Sequence, residues 1–109
     1  MSANEITPIE VKKRLDRGEQ LPLIDVRKAA ELTICSLPGA LHIPMDEFTQ
    51  RLDELEPYRE KEIVIFCRSG GRSFSVCQFL LQKGFKRPLN MLGGVLAWSD
   101  EVDPSLPKY

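Results

Sequence analysis

The sequence predicts an α/β domain in which a parallel sheet is covered by helices on both faces. Short apolar runs of strand length alternate along the chain with stretches of helical periodicity. The runs are continuously apolar rather than alternately apolar and polar, which is typical of strands buried on both faces. The 109 residues have the length of one domain, so we expect residues 1–109 to form a single unit.

Helix caps and apolar spacing place the elements in order along the chain. Thr7 can cap a first helix, Pro8 suits its first position, and Gly18 ends it. Further helices are expected at residues 28–32, from Asp46 to about Leu55, from Ser73 to Lys83, and after the pair Gly93-Gly94. Strands are expected at residues 21–26, 40–43, 63–66 and 89–92. The final segment, DPSLPKY, is expected to be extended because of its prolines.

Charge and composition argue against several functional classes. Fifteen basic and sixteen acidic residues are interspersed and give a formal net charge of −1, so we expect no nucleic-acid partner and no anionic membrane surface. The longest apolar run, residues 63–67, is far shorter than the roughly 20 residues of a membrane helix. The first residues, MSANEITP, lack the apolar core of a signal peptide, and we therefore expect a cytoplasmic protein.

The cysteine content points to a reducing compartment. Cys35, Cys67 and Cys77 are odd in number and lack paired spacing, so they do not predict a disulfide framework. Together with the single histidine, His42, they contain no Cys-x2-Cys pair. We therefore expect no structural zinc site and no other metal.

Cys67 is the strongest candidate for a functional residue. It stands where the strand IVIF ends and a helix begins, which is the place where open α/β sheets bind ligands. The glycine pair that follows lets backbone N–H groups turn inward and form a cup around the thiol. The helix amino terminus and the two loop arginines are expected to lower the pKa of the Cys67 thiol and make it a nucleophile. The alternative to a functional role is that Cys67 is a buried, structural cysteine of the strand, followed by a glycine turn.

Several motifs, in the same order, resemble the rhodanese family of single-domain sulfurtransferases over about residues 5–98. They are LIDVR at residues 23–27, LPGALHIP at 37–44, CRSGGRS at 67–73 and GGVLAW at 93–98. The resemblance implies a three-layer fold with a five-stranded parallel sheet flanked by helices. It also implies that Cys67 carries sulfur as a persulfide and that no cofactor is needed. The residues expected to cradle this sulfur are Arg68, Ser69, Gly70, Gly71, Arg72 and Ser73.

The sequence differs from the family pattern at one motif. Its loop and tail, in turn, resemble one group of rhodanese domains in particular. The pair Cys35-Ser36 stands where the family often has Gly-His, so the role of that histidine is missing here. The tail and the CRSGGRS loop resemble rhodanese domains fused behind E1-like adenylyltransferases of molybdopterin and thiolated-tRNA synthesis. The chain is then either an excised carboxyl-terminal domain or a stand-alone relative. This resemblance implies a thiosulfate or protein-persulfide donor and a ubiquitin-like sulfur-carrier protein as acceptor.

Five other residues are weaker candidates for the site, and three of them have two possible interpretations. Asp25 and Arg27 stand at a strand end, where they either bind substrate or form an ion pair that fixes the neighbouring loops. Cys35 lies in a loop and either resolves a persulfide or is a solvent-facing or half-packed thiol. Cys77 falls on the apolar side of its helix and is expected to pack, and His42 is expected to be structural.

Two other functions compete with sulfur transfer. One is a non-catalytic interaction module that keeps the fold and uses the loop to bind a partner, although an intact cysteine argues against it. The other is a cysteine-based phosphatase, because related phosphatases use the same sheet with a Cys-x5-Arg loop. Here only four residues separate Cys67 from Arg72, and the smaller cup suits one sulfur atom better than a tetrahedral phosphate.

Overall fold

A computed structural model describes residues 4–109, so the first three residues of the expected 1–109 domain lie outside the described residues. One five-stranded sheet lies at its centre, with every neighbouring pair of strands parallel and with the order β1-β5-β4-β2-β3. The strands are β1 Glu5–Ile6, β2 Leu23–Asp25, β3 Leu41–His42, β4 Glu62–Phe66 and β5 Arg87–Met91. The α/β class and the five-stranded parallel sheet are therefore confirmed.

Helices cover the sheet and connect its parallel strands. The α-helices are α1 Pro8–Asp16, α2 Ala29–Leu32, α3 Gly71–Gln82 and α4 Gly94–Glu101, and two 3₁₀ helices span Met45–Glu47 and Leu52–Tyr58. The start of α1 follows the expected chemistry, since the hydroxyl of Thr7 accepts the backbone N–H of Glu10 at 3.1 Å. No helix within residues 4–109 is long and apolar enough to cross a membrane.

Each face of the sheet has its own apolar core, and β4 contributes to both. Val64 and Phe66 pack with residues of α1 and α4, whereas Ile63, Ile65 and Cys67 pack with residues of α3 on the other face. This division follows from the period of two in a strand, and it explains why the β4 run is apolar throughout. Since β4 is the central strand, the loop after it emerges from the middle of the sheet.

Two expectations about the elements between residues 46 and 73 need correction. Residues 46–55 do not form one α-helix but belong to the two 3₁₀ helices, with a turn between them. Phe48 and Leu55 are buried, as the periodicity indicates. Burying these two side chains does not require a regular α-helix over the whole segment. Helix α3 begins at Gly71 rather than at Ser73, because Gly70 adopts a left-handed cap conformation.

The two ends of the described chain also differ from expectation. The short strand β1, which the sequence did not predict, pairs with β5 through two residues. The tail is not simply extended, because the Leu106 N–H donates to the Asp103 carbonyl at 3.0 Å and closes a turn. Leu106 and Tyr109 then pack against the core on the α1 and α4 face. The tail is therefore part of the folded domain.

Candidate active site

The loop after β4 wraps around the Cys67 sulfur because of one residue, Gly70. Its backbone has φ +113°, a left-handed conformation that side chains rarely adopt, and it forms the N-cap of α3. In this conformation the Gly70 N–H donates to the Cys67 Sγ at 3.1 Å. Gly71 does not have a positive φ and lies in the first turn of α3. Of the two loop glycines, only Gly70 is required by the backbone.

Helix α4 holds the loop from behind. The N–H groups of Val95 and Leu96 donate to the carbonyls of Cys67 and Arg68, at 2.9 and 3.1 Å. Gly94 permits this approach, since a Cβ at that position would lie 2.5 Å from the Arg68 carbonyl oxygen. Because α4 binds these carbonyl oxygens on one side of the loop, the N–H groups of the loop can point towards the sulfur on the other side. The GGVLAW motif thus serves the site although it lies far from Cys67 in the sequence.

The environment of Cys67 favours the thiolate. Burial works against the charged form, since Cys67 is only 1% exposed. Hydrogen bonds from Ser73 and from the backbone N–H groups of Gly70 and Ser69 outweigh this effect and hold the pKa of Cys67 below its ordinary value. The loop therefore covers the resting thiol more closely than an open cup would, and it stabilises negative charge there.

The two loop arginines contribute less to this acidity than the sequence predicted. Arg72 makes a bidentate ion pair with Glu31, with N–O distances of 2.6 and 3.0 Å. Arg68 donates to the main-chain carbonyl of Tyr109. Arg72 still attracts a Cys67 thiolate, but Glu31 neutralises part of its charge. The expected direction of the Cys67 pKa shift is correct, while hydrogen bonding rather than the arginines is its main favourable cause.

A buried polar network lies beside the sulfur. The Oγ of Ser73 is 3.4 Å from the Cys67 Sγ, and the Ser73 hydroxyl donates to the Asn90 Oδ1 at 2.5 Å. The Asn90 side-chain amide donates in turn to the Gly70 carbonyl at 3.2 Å. The sequence analysis missed Asn90. The available signal is a single polar residue inside the otherwise apolar run of residues 88–92.

Asp25 and Arg27 form a buried ion pair, which supports the second of their two interpretations. Arg27 is 0% exposed, and its Nη2 lies 2.8 Å from the Asp25 Oδ2. The guanidinium also donates to the carbonyls of Cys35 and Glu31, to the Cys35 sulfur and to the Tyr109 hydroxyl. The hydrogen bonds to Asp25 and Tyr109 outweigh burial and raise the pKa of Arg27. Arg27 therefore holds the Cys35 loop and the tail in place, and, within the described part of the chain, it has no free N–H donors for a substrate.

The other two cysteines are buried without the donors that surround Cys67. Cys35 is 7% exposed and its Sγ lies 3.6 Å from the Arg27 Nη1, so the expectation of a solvent-facing or half-packed thiol is wrong. Cys77 packs as expected, and burial together with the nearby Cys67 charge raises its pKa to about 12. The Nε2 of His42 lies 2.7 Å from the Arg27 carbonyl, in a structural contact. Within residues 4–109, no cluster of His, Cys, Asp and Glu side chains suits a metal ion.

Tyr109 and Glu31 bind the arginines of the loop that follows Cys67, and the sequence analysis identified neither residue. The Tyr109 hydroxyl donates to the Glu31 carboxylate at 2.6 Å and accepts from Arg27 at 3.0 Å. The Arg72 hydrogen bonds outweigh burial and lower the pKa of Glu31 to about 2. The tail, α2 and α3 are thereby joined around one carboxylate.

Together the fold and the site define an α/β domain that holds a cysteine thiol in a loop of N–H donors at a helix amino terminus. Residues 7–101 match the family described as Rhodanese-like domain. A crystal structure of a rhodanese-like domain protein from Staphylococcus aureus superposes with a TM-score of 0.83 at 30% identity, covering 97% of this chain and 98% of that one. The chain therefore belongs to the rhodanese-like domain family.

Relatives found by sequence carry names that include sulfurtransferase. The sulfurtransferase of Allochromatium vinosum is 38% identical over 96 residues, which cover 88% of this chain and 88% of that protein. Adenylyltransferase and sulfurtransferase MOCS3-2 of Zea mays is 36% identical over 109 residues, covering 95% of this chain but only 23% of that longer protein. The narrower resemblance to domains of adenylyltransferases is thus confirmed.

Proposed function

We propose that this protein is a sulfurtransferase that carries a sulfane sulfur as a persulfide on Cys67. The family match and the names of the relatives support sulfur transfer as the general activity. The observation that carries the specific proposal is the contact of the Gly70 N–H with the Cys67 Sγ at the amino terminus of α3. Such N–H donors stabilise negative charge on sulfur whether the residue is a thiolate or a persulfide.

The reaction proceeds as a double displacement. The Cys67 thiolate attacks the sulfane sulfur of a donor such as thiosulfate or a protein persulfide. A new S–S bond forms at Cys67, and the donor's bond to that sulfur breaks, so that sulfite or a thiolate leaves with the electron pair. An acceptor nucleophile then attacks the outer sulfur, and Cys67 leaves as the thiolate. Neither step requires a metal or an organic cofactor.

The outer sulfur of the persulfide is the atom that meets the acceptor. Cys67 itself is covered by its loop, at 1% exposure. A persulfide places its terminal sulfur about 2 Å beyond Sγ, because that is the length of an S–S bond. The acceptor therefore does not need to reach the Cys67 Sγ.

We further propose a protein acceptor, the adenylated carboxyl terminus of a ubiquitin-like sulfur carrier. The likeness to part of an adenylyltransferase and sulfurtransferase supports this choice. The Cys67 persulfide attacks the acyl-adenylate carbonyl, adenylate leaves, and an acyl disulfide forms. An external thiolate then attacks the outer sulfur, and Cys67 leaves as the thiolate. A second thiol reduces the acyl disulfide formed between the carrier and the first thiol, which releases the carrier thiocarboxylate and a disulfide of the two external thiols. We assign these thiols to other molecules because Cys35 is buried against Arg27.

The test of the persulfide is intact-mass analysis after incubation with thiosulfate or a persulfide donor, followed by peptide mapping. We expect one added sulfur on Cys67 and none after Cys67→Ala. The matched controls Cys35→Ala and Cys77→Ala replace buried thiols that lack the loop and should keep most of the sulfur transfer. Sulfur mapped mainly to Cys35 or Cys77 would refute the proposal.

The carrier is tested separately by mixing the persulfidated protein with an adenylated carrier protein and a reducing thiol. The expected product is carrier thiocarboxylate, detected by its mass. If cyanide and small thiols discharge Cys67 while the carrier remains unmodified, the protein acceptor is wrong and the persulfide proposal stands.

A further inference from the structure

The orientation of the Asn90 side chain is fixed by its neighbours. A backbone carbonyl can only accept hydrogen bonds, so the atom of Asn90 that lies 3.2 Å from the Gly70 carbonyl oxygen must be the amide nitrogen. The Asn90 Oδ1 therefore faces Ser73, whose Oγ is 2.5 Å away. An amide oxygen also only accepts, and consequently the Ser73 hydroxyl is the donor in this contact.

This orientation determines the hydrogen bonding of the Cys67 thiol. A serine hydroxyl has one proton, and in this state the Ser73 proton is directed to Asn90. At 3.4 Å from Sγ, the Ser73 oxygen can then only accept the Cys67 S–H. In this state the hydroxyl therefore accepts from the thiol, and it must turn towards the sulfur before it can donate to the thiolate, as the Gly70 N–H already does.

We propose that Asn90 is a positioning residue that holds the Ser73 proton away from the Cys67 sulfur until that sulfur becomes negatively charged. The proposal deepens the sulfur-transfer function of the same site and rests on it for its biological meaning. When the thiol loses its proton, the Ser73 hydroxyl must turn from Asn90 to the sulfur in order to stabilise the charge. Asn90 competes for that proton, and it therefore makes the thiol less acidic than the loop alone would.

This competition has a chemical advantage for sulfur transfer. The nucleophilicity of a thiolate falls as its pKa falls, and attack is fastest when the pKa lies near the ambient pH. An N–H loop alone would stabilise the thiolate further and make each thiolate a weaker nucleophile. Asn90 moderates this effect in the attack on the donor.

Other charged or titratable groups also face the sulfur and must be separated from the effect of Asn90. Arg72 on α3 interacts electrostatically with Cys67, and Glu31 of α2 and Tyr109 of the tail lie behind Arg72. Cys77 on α3 also feels the Cys67 charge. Substitution of Asn90 leaves all these groups in place, and a double-mutant cycle with Ser73 removes their contribution.

The experiment measures the pKa of Cys67 from its alkylation rate against pH, with the modified peptide mapped, in wild type, Asn90→Leu, Ser73→Ala and the double variant. Leucine keeps the shape of asparagine but neither donates nor accepts. With Ser73 present, we expect Asn90→Leu to lower the Cys67 pKa by about one unit, because the hydroxyl is free to donate to the thiolate. In the Ser73→Ala background, we expect Asn90→Leu to lower the pKa clearly less.

Controls make the cycle decisive. Loss of the Asn90 contact to Gly70 affects both backgrounds equally and cancels in the comparison. Ser99→Ala removes another buried hydroxyl, which donates to the Leu106 carbonyl, and should leave the Cys67 pKa unchanged. Asn90→Ala repeats the cycle if the leucine variant does not fold.

The inference is overturned if substituting Asn90 shifts the Cys67 pKa equally in both backgrounds, or raises it more when Ser73 is present. Alkylation involves no sulfur donor and no acceptor. The cycle therefore decides the role of Asn90 even if Cys67 never becomes persulfidated, and a failed persulfide assay does not affect its outcome.

Discussion

At the scale of single residues, Cys67 and Cys77 show that burial alone does not set the reactivity of a thiol. They are 1% and 2% exposed and pack in the same apolar core. The pKa of Cys77 rises to about 12 because only apolar groups and a neighbouring sulfur charge act on it. The pKa of Cys67 falls because hydrogen-bond donors outweigh the same penalty. Local donors, rather than exposure, distinguish the candidate sulfur carrier.

Asp25 carries our first residue-scale prediction. We expect Asp25→Ala to lower the free energy of unfolding by about 3–5 kcal/mol, because it leaves the fully buried Arg27 charge without its partner. Chemical denaturation measures the loss. The matched control is Glu54→Ala, which breaks the more exposed ion pair with Arg51 and should cost much less stability, because solvent screens that pair. Equal losses for the two variants would show that the buried pair has no special structural role.

At the scale of elements, the active loop depends on the junction between β4 and α3. The strand ends at Phe66, Cys67 follows it directly, Gly70 reverses the chain, and α3 begins at the next residue. This junction brings the Gly70 N–H to the sulfur, while α4 binds the loop carbonyls from the opposite side. The chemistry of the site therefore requires two helices and one strand in fixed register.

The glycine pair allows a matched test of this junction. Gly70→Ala should cost about 1–2 kcal/mol of stability, because its left-handed backbone strains any residue with a Cβ. It should also raise the Cys67 pKa, since a relaxed backbone withdraws the Gly70 N–H from the sulfur. Thermal unfolding and alkylation against pH measure both effects.

Gly71→Ala is the control for this prediction. Apart from its chain neighbours and the backbone of its own helix, no heavy atom lies within 4 Å of a Cβ at Gly71, and its φ is not positive. Alanine there should be neutral or stabilising by up to about 1 kcal/mol, because Gly71 is helical. A larger loss at Gly71 than at Gly70 would contradict the assignment of the turn to Gly70.

Local sequence patterns predicted the elements that are continuous along the chain and missed what only the fold brings together. The β4 run, Cys67 and the glycine loop are adjacent residues, so periodicity and composition identify them. Asn90 lies 17 residues from Ser73, Glu31 lies 41 residues from Arg72, and Tyr109 lies 78 residues from Glu31. The apolar spacing of residues 46–55 predicts one α-helix, because this spacing does not distinguish an α-helix from two short 3₁₀ helices. Strand β1 has two residues, too few to produce a pattern.

At the scale of the whole molecule, the tail and α2 meet α3 through Glu31. Arg72 and Tyr109 both donate to its carboxylate, and these two residues are far apart in the chain. The same tail residue also accepts from Arg68 through its main-chain carbonyl. A single carboxylate thus connects the active loop to the end of the described chain.

This arrangement predicts a specific dependence of stability on pH. The folded pKa of Glu31, about 2, lies below the ordinary glutamate value of 4.5, so Glu31 contributes its full stabilisation above about pH 4.5. That contribution is lost as the pH falls through 2. The unfolding free energy of wild type should therefore fall more steeply from pH 4.5 to 2 than that of Glu31→Gln. Asp53→Asn, at an exposed acid, should follow wild type, and parallel curves for wild type and Glu31→Gln would contradict the prediction.

The attachment of the Cys67 and Arg68 carbonyls to α4 has a consequence for protein synthesis. A ribosome completes residues 67–73 before it adds Asn90 and the first turn of α4, which hold that loop in place. Until α4 docks, nothing holds the loop carbonyls in place, and we expect the nascent thiol to have the acidity of an ordinary cysteine. We therefore expect folding of the carboxyl-terminal third of the chain to complete the hydrogen-bonded loop around the sulfur.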